Sequence, residues 1–349
     1  ALSINSRVLI MDEPTSALSA AEVDVLFGLI RDLTARGVSI VYISHHLEEA
    51  LQITDFAVVL RDGLVTATGR RDEIDMEWIV RNMVGENFDL GSPPPGQAIG
   101  EVALSVAEVS VADASGSGNL VVDRLSLDIR AGEIVCLYGL MGAGRTELLE
   151  CVAGRVPMVG GTVRLEGEDI SRLGIRERIE RGLVLVPEDR QRDGLVQSMS
   201  VGQNLSLANI GAFVRHLLLS PARERAVVDQ SIRDVRVKTA NREAPIGSLS
   251  GGNQQKVVIG KMLGAHPKVI LLDEPSRGID VGAKAEVFRL LSEQSARGLA
   301  VVFSTSEVAE CLSIAHRIIV MRRGRITAEF DSTASKEQIM AASGEAVVA

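Results

Sequence analysis

The 349-residue sequence contains no uninterrupted apolar run near the roughly 18 residues that a bilayer crossing requires. The chain is therefore not expected to span a membrane by itself. It also lacks a basic surplus, with 37 Lys+Arg against 46 Asp+Glu and a formal charge of −9. Proteins that grip nucleic acid present positive charge to the phosphates, so this balance argues against nucleic acid as a partner. Cysteine is sparse. Cys136, Cys151 and Cys311 lie far apart with no CxxC pair, which excludes a disulfide framework and a cysteine zinc site and fits a reducing compartment. Apolar content is not lacking: 46% of the residues are hydrophobic, enough for packed cores and too many for a disordered chain.

What the sequence does hold is a repeat. Residues 7–14 read RVLIMDEP and residues 268–275 read KVILLDEP, an offset of 261 (273 less 12 for the two Asp). The same offset pairs Phe27 with Phe288, residues 35–37 with 296–298, Glu49 with Glu310 and Gly63 with Gly324. A gapless match over about 60 residues marks two homologous segments. The second copy follows a long stretch from about Val102 to His266 that the first copy lacks. The expected organisation is the C-terminal part of one domain (1–84), a linker (85–100) and a complete second domain (101–349). The linker includes GSPPPG at 91–96, a composition that favours an extended connection. On this expectation the first domain's remaining motifs would precede Ala1.

Short β-rich runs alternate with helical periodicity, the mark of an α/β fold. Strands are expected over 133–138, 269–272 and 300–304, helices over 145–153 and 283–296, and a helix-rich insert over 198–250. The charges at 223–225 and 233–238 fit a solvated face of that insert.

After the first of these strands comes Gly139–Leu140–Met141–Gly142–Ala143–Gly144–Arg145–Thr146, then a helix. This is the G-x-x-x-x-G-K-[ST] phosphate loop with Arg145 in place of Lys. Its glycines let backbone N–H groups turn inward at a positive helix terminus, and Thr146 is placed to bind Mg²⁺. Glycine could also serve a tight strand–helix turn for steric reasons alone. Arg keeps the charge but is longer and forked, so nucleotide binding with slow or absent hydrolysis is expected of this loop.

The repeated strand ends carry Asp12–Glu13 and Asp273–Glu274. The Asp carboxylates would hold Mg²⁺ through water, and the Glu carboxylates would polarise an attacking water. Solvated carboxylates at a strand end are the alternative, which repetition beside a phosphate loop disfavours. Residues 249–256 read LSGGNQQK. Ser250–Gly251–Gly252 before an amphipathic helix offers another helix N-terminus to phosphate, or Ser250 serves simply as its N-cap.

At this point the sequence resembles the ATP-binding subunits of ABC transporters, whose signature is of the LSGGQ type. Asn253 ahead of Gln254, the string from Gly139 through Glu147–Leu148, and residues 187–190 (PEDR) followed by Gly194–Leu195 resemble the tandem subunits of bacterial ribose, galactose and xylose importers. The resemblance covers essentially the whole chain. It implies a P-loop ATPase fold of the ABC type, with an antiparallel β subdomain and a helical subdomain in the second domain.

It also implies ATP and Mg²⁺ as cofactors, with two nucleotides sandwiched between the two domains. The competent site would join Asp12, Glu13 and His45 to Ser250, Gly251 and Gly252. The weaker one would use residues 139–147, Glu188, Asp273 and Glu274. Asn253 and Gln254 extend the nucleotide-binding set, Glu188 stands where relatives carry an Mg²⁺-sensing Gln, and Ser306 replaces the switch His in the second copy. No aromatic residue lies within 101–123 to stack on adenine. Partners implied are integral membrane permease subunits and, indirectly, a periplasmic sugar-binding protein, at the cytoplasmic face of the bacterial inner membrane. Self-association through nucleotide-binding domains is a further expectation. The competing readings are a soluble tandem ATPase acting on ribosomes or DNA and a truncated, non-catalytic remnant; little ATPase activity is expected from these residues alone.

Overall fold

In the computed structural model, residues 6–15, 20–44, 47–61, 63–84, 99–113, 118–215 and 218–344 are described. The chain divides into two compact units, Ala1–Phe88 with Asp280–Gly282, and Asp89–Ile279 with Ala283–Ala349. Most of the expected linker, residues 85–98, lies outside the described residues.

The first unit begins with β1 (Val8–Asp12), α1 (Ala20–Ala35) and β2 (Ser39–Ile43), the two strands pairing in parallel with Val8 opposite Ser39. Val23, Phe27 and Ile30 recur at helical spacing on α1 and form a small core with Met11, Ile40 and Tyr42. After α2 (Leu47–Ile53), the strands β3 (Phe56–Arg61) and β4 (Leu64–Arg70) form an antiparallel hairpin, followed by α3 (Met76–Val84).

The second unit opens with long antiparallel strands β5 (Val102–Ala112) and β6 (Leu120–Arg130), then β7 (Ile134–Tyr138) and α4 (Arg145–Ala153). Next come β8 (Gly160–Leu165), β9 (Glu168–Asp169), α5 (Ile175–Arg181) and β10 (Leu183–Val186). The helical portion contains α6 (Val201–Ser206), a small hairpin of β11 (Val214–Arg215) and β12 (Leu218–Leu219), α7 (Pro221–Asp234) and α8 (Gly251–Leu263). The chain then runs through β13 (Val269–Leu272), α9 (Val281–Ser295), β14 (Ala300–Thr305), α10 (Val308–Ile314), β15 (Arg317–Arg322), β16 (Arg325–Asp331) and α11 (Lys336–Ser343).

Six strands form a sheet in the order β10-β13-β14-β7-β15-β16, parallel except for the edge strand β16. Its central strands β7, β13 and β14 are buried at every residue, as expected where both faces of a parallel sheet are covered. One face packs on α4 and the antiparallel sheet β6-β5-β8-β9; the other packs on α8, α9, α10 and α11. The loops after β7, β10 and β13 therefore emerge at the C-terminal edge of the parallel strands, where open α/β sheets bind ligands.

The repeat reappears in the registers. Val8 opposite Ser39 becomes Val269 opposite Ala300, and Phe56 opposite Arg70 becomes Arg317 opposite Asp331, each shifted by the same offset. Even the register slip is shared, at Val59/Leu60 and at Val320/Met321. One difference is exposure. Val8 and Ile10 are 58% and 67% exposed, whereas their counterparts Val269 and Leu271 are buried beneath the layer built from β5, β6, β8 and α4.

Element boundaries shift slightly from expectation. Glu133 is not in β7 because it closes a turn: its carboxylate accepts the Arg130 N–H at 2.8 Å while its own N–H donates to Arg130 O. The helix expected over 283–296 runs Val281–Ser295, and β14 extends to Thr305. The insert 198–250 is helical as expected but also carries the β11–β12 hairpin.

Candidate nucleotide site

The phosphate loop leaves the buried strand β7 and ends in α4, whose N-terminus has no side-chain cap, the kind of helix start that suits an anion. Gly142 and Gly144 adopt φ of 77° and 97°, the left-handed region where a side chain is strained. A Cβ on Gly139 would meet Met321 O at 2.5 Å, and one on Gly144 would strike Val121 O. Those two glycines answer to their own fold, while Gly142 opens on free space. Leu140 and Met141 are exposed, Ala143 is buried, and Thr146 and Glu147 are partly exposed on the first turn of α4.

Arg145 is buried and points to the neighbouring strand end. Its Nη1 lies 2.8 Å from Glu274 Oε1. Asp273 is also buried and accepts a 2.5 Å hydrogen bond from Ser304 Oγ, which in turn accepts the Glu274 N–H at 3.0 Å. Glu274 itself sits at φ 44°, and Glu13 in the first unit at φ 47°. Burial is the main cause that raises the Glu274 pKa; Arg145 opposes it, and the charges of Glu310 and Asp273 add to it. Beyond Ser304, Thr305 Oγ1 donates to the fully buried Glu310 at 2.6 Å, and Glu310 pairs with Lys284 Nζ at 2.7 Å. The sequence carries no functional mark for Ser304 or for this Lys284–Glu310 pair; it shows Glu310 only as the repeat partner of Glu49.

Glu188 stands after β10 and is ion-paired with Arg277. The signature helix α8 starts at Gly251, and Ser250 makes no capping bond. Its hydroxyl instead accepts from Asn253 Nδ2 at 3.0 Å, while Asn253 Oδ1 accepts the Lys238 N–H. Gln254 is buried and its amide donates to the Ile246 and Leu249 carbonyls. Thus the structure brings Arg145, Asp273 and Glu274 together. In the first unit, Asp12 is exposed at the end of β1 and the Glu13 N–H donates to Ile43 O at 2.9 Å. His45 lies outside the described residues.

The sequence model of the ABC transporter family matches residues 122–277. The ribose import ATP-binding protein RbsA of Rhodopirellula baltica is 43% identical over 98% of this chain and 67% of its own length. The xylose import ATP-binding protein XylG of Pseudomonas syringae pv. tomato is 40% identical over 98% of the chain and 65% of its own length. The chain belongs to the ABC transporter ATPases. It spans about two thirds of the length of these curated relatives. The fold of this ABC ATPase matches solved cassettes: MJ0796 bound to ADP and Pi, with a TM-score of 0.59 at 21% identity, covers 66% of the chain and 100% of that structure. MJ1267 gives 0.60 at 20% identity over 69% of the chain and 98% of that structure.

The loop suits a nucleotide phosphate: an uncapped helix start, a buried guanidinium beside it and a buried Asp with one oxygen held by Ser304. Among the described residues no group of three or more His, Cys, Asp or Glu could hold a metal ion. No described helix is long and apolar enough to cross a membrane.

Proposed function

We propose that this chain is an ATP-binding subunit that couples ATP binding and hydrolysis to the import of a monosaccharide or similar polyol through a separate membrane permease. The observation that carries the reading is the contact of Arg145 with Glu274, in which the phosphate loop meets the Asp–Glu strand end. Kinship with proteins named for ribose and xylose import supports the substrate class. In this reading Mg–ATP rests on residues 139–147, with Thr146 and Asp273 toward Mg²⁺ and Glu188 near the phosphates. The bound nucleotide supplies the phosphoanhydride whose cleavage drives the cycle; the chain supplies charge, orientation and exclusion of water. The subunit sits peripherally at the cytoplasmic face of the membrane, against permease subunits fed by a periplasmic binding protein.

We further propose that residues 1–84 are the C-terminal part of a first cassette and 101–349 a second. Shared registers and the shared Glu13 and Glu274 backbone conformation support this. The two Asp–Glu ends are then unequal, because Arg145 and Ser306 stand where a competent site carries Lys and His.

Sugar uptake into proteoliposomes carrying the permease, with ATP supplied on the side of this subunit, tests both statements. In the complete two-cassette protein, with the first cassette's own phosphate loop, uptake should require the subunit, collapse on Glu13→Gln and barely change on Glu274→Gln. Uptake indifferent to the subunit would overturn the transport reading, and equal loss from both variants would overturn the inequality.

A further inference from the structure

Arg190 occupies a position that the nucleotide reading does not explain. It follows Glu188 and Asp189 in the loop after β10, and Asp189 Oδ1 accepts the N–H groups of Gln191 and Arg192, which fixes the turn. From there the Arg190 guanidinium donates to Arg277 O at 2.7 Å and Gly278 O at 2.9 Å. These carbonyls belong to the turn that follows Glu274. The same guanidinium fills the space in front of the signature helix: a Cβ on Gly251 would lie 2.8 Å from Arg190 Nη2 and 2.9 Å from Gly278 O. Glu188, two residues back, is ion-paired with the Arg277 side chain, so the loop holds that turn by both backbone and side chain.

Three segments thus meet on one planar fork: the Glu188 loop, the turn after Glu274 and the N-terminus of α8. We infer that Arg190 is a positioning residue that ties the start of the signature helix to the Glu188 loop, so that a nucleotide seated on the cassette's own phosphate loop is felt at Ser250–Gly252. A fork is needed because two carbonyls in different directions must be held at once; a lysine ammonium is a point donor on a flexible stem and does not preserve that planar geometry. Gly251 is the complementary half of the device, since only a residue without Cβ leaves room for the fork. The inference rests on the nucleotide reading above and adds a coupling path within one cassette.

Hydrogen exchange of the full chain with and without Mg–ATP separates the two ideas. In the unmodified protein Mg–ATP should slow exchange in peptides covering 139–149 and also 249–258, each by roughly fivefold or more. Arg190→Gln should keep the slowing at 139–149 and lose it at 249–258, Arg190→Lys should not restore it, and Gly251→Ala should reproduce the loss from the other side of the contact. Slowing retained at both segments in Arg190→Gln, or lost at both with an unchanged melting temperature, would overturn the positioning role. No slowing at 139–149 in the unmodified protein would instead overturn the nucleotide reading, and this inference with it.

Discussion

Arg145 Nη1 and Glu274 Oε1 are 2.8 Å apart, both largely buried, so the cation of the phosphate loop is engaged by the carboxylate of the strand end. On the proposed nucleotide reading, an incoming phosphate would compete for the same guanidinium. Removing the carboxylate's charge releases Arg145 to the ligand. Glu274→Gln should therefore bind Mg–ATP more tightly, by roughly three- to tenfold, up to about 1.4 kcal/mol. Arg145→Ala should weaken it by at least as much. Calorimetric titration checks both, and weaker binding by Glu274→Gln would show that the pair does not compete with phosphate.

The same pair sets a pH dependence. The pKa of Glu274 is raised, chiefly by burial, so the folded protein binds this proton more tightly than the unfolded chain does. Its contribution to stability is fully present below the unfolded value and is lost as pH rises through the raised folded value. As pH falls through that value, Glu274 becomes neutral and Arg145 is freed. Denaturation midpoints of wild type and Glu274→Gln measured across pH 5 to 8 should converge toward the acid end. A gap independent of pH would refute the assignment.

Much of this site was legible in the sequence for a physical reason. Glycine spacing at 139–144 and the wholly apolar run before Asp273 are local signals, and both ended up at the C-terminal edge of one parallel sheet. The fixed repeat offset anticipated the strand registers, because identical spacing of apolar residues imposes identical pairing. What stayed hidden depends on tertiary approach. Arg145 meeting Glu274, Arg190 meeting Gly278 and Lys284 meeting Glu310 join residues that no periodicity relates. Gln254 looked like part of the phosphate-facing signature, yet the helix turns its side chain inward.

Ser304 is a case in point. The repeat places Ile43 at its counterpart, and the apolar run of β14 gives it no functional mark. In the fold its buried hydroxyl donates to Asp273 and accepts from the Glu274 N–H. Ser304→Ala would leave a buried carboxylate oxygen and a backbone N–H without that partner, at a cost of about 1–3 kcal/mol. Urea denaturation checks this, and Ser304→Thr should retain most of the stability. An unchanged midpoint for Ser304→Ala would show that the bridge contributes nothing.

The Lys284–Glu310 pair makes the sharpest stability prediction. Glu310 is fully buried and its pKa is raised, mainly by burial, with Lys284 the largest opposing influence. Removing the cation in Lys284→Met leaves a buried charge without its compensation, which costs about 3–5 kcal/mol. That penalty belongs to the ionised carboxylate. With Lys284 gone the folded pKa of Glu310 climbs further, so the cost should be largest at pH 8 and shrink as pH falls and the carboxyl is protonated. Lys284→Met combined with Glu310→Gln should recover most of the loss, because the double variant buries no charge at this position. Denaturant midpoints of the two single variants and the double variant, taken at pH 8 and pH 5.5, decide the matter. A double variant as unstable at pH 8 as Lys284→Met alone would mean that Lys284 acts through the packing of its stem rather than through its charge.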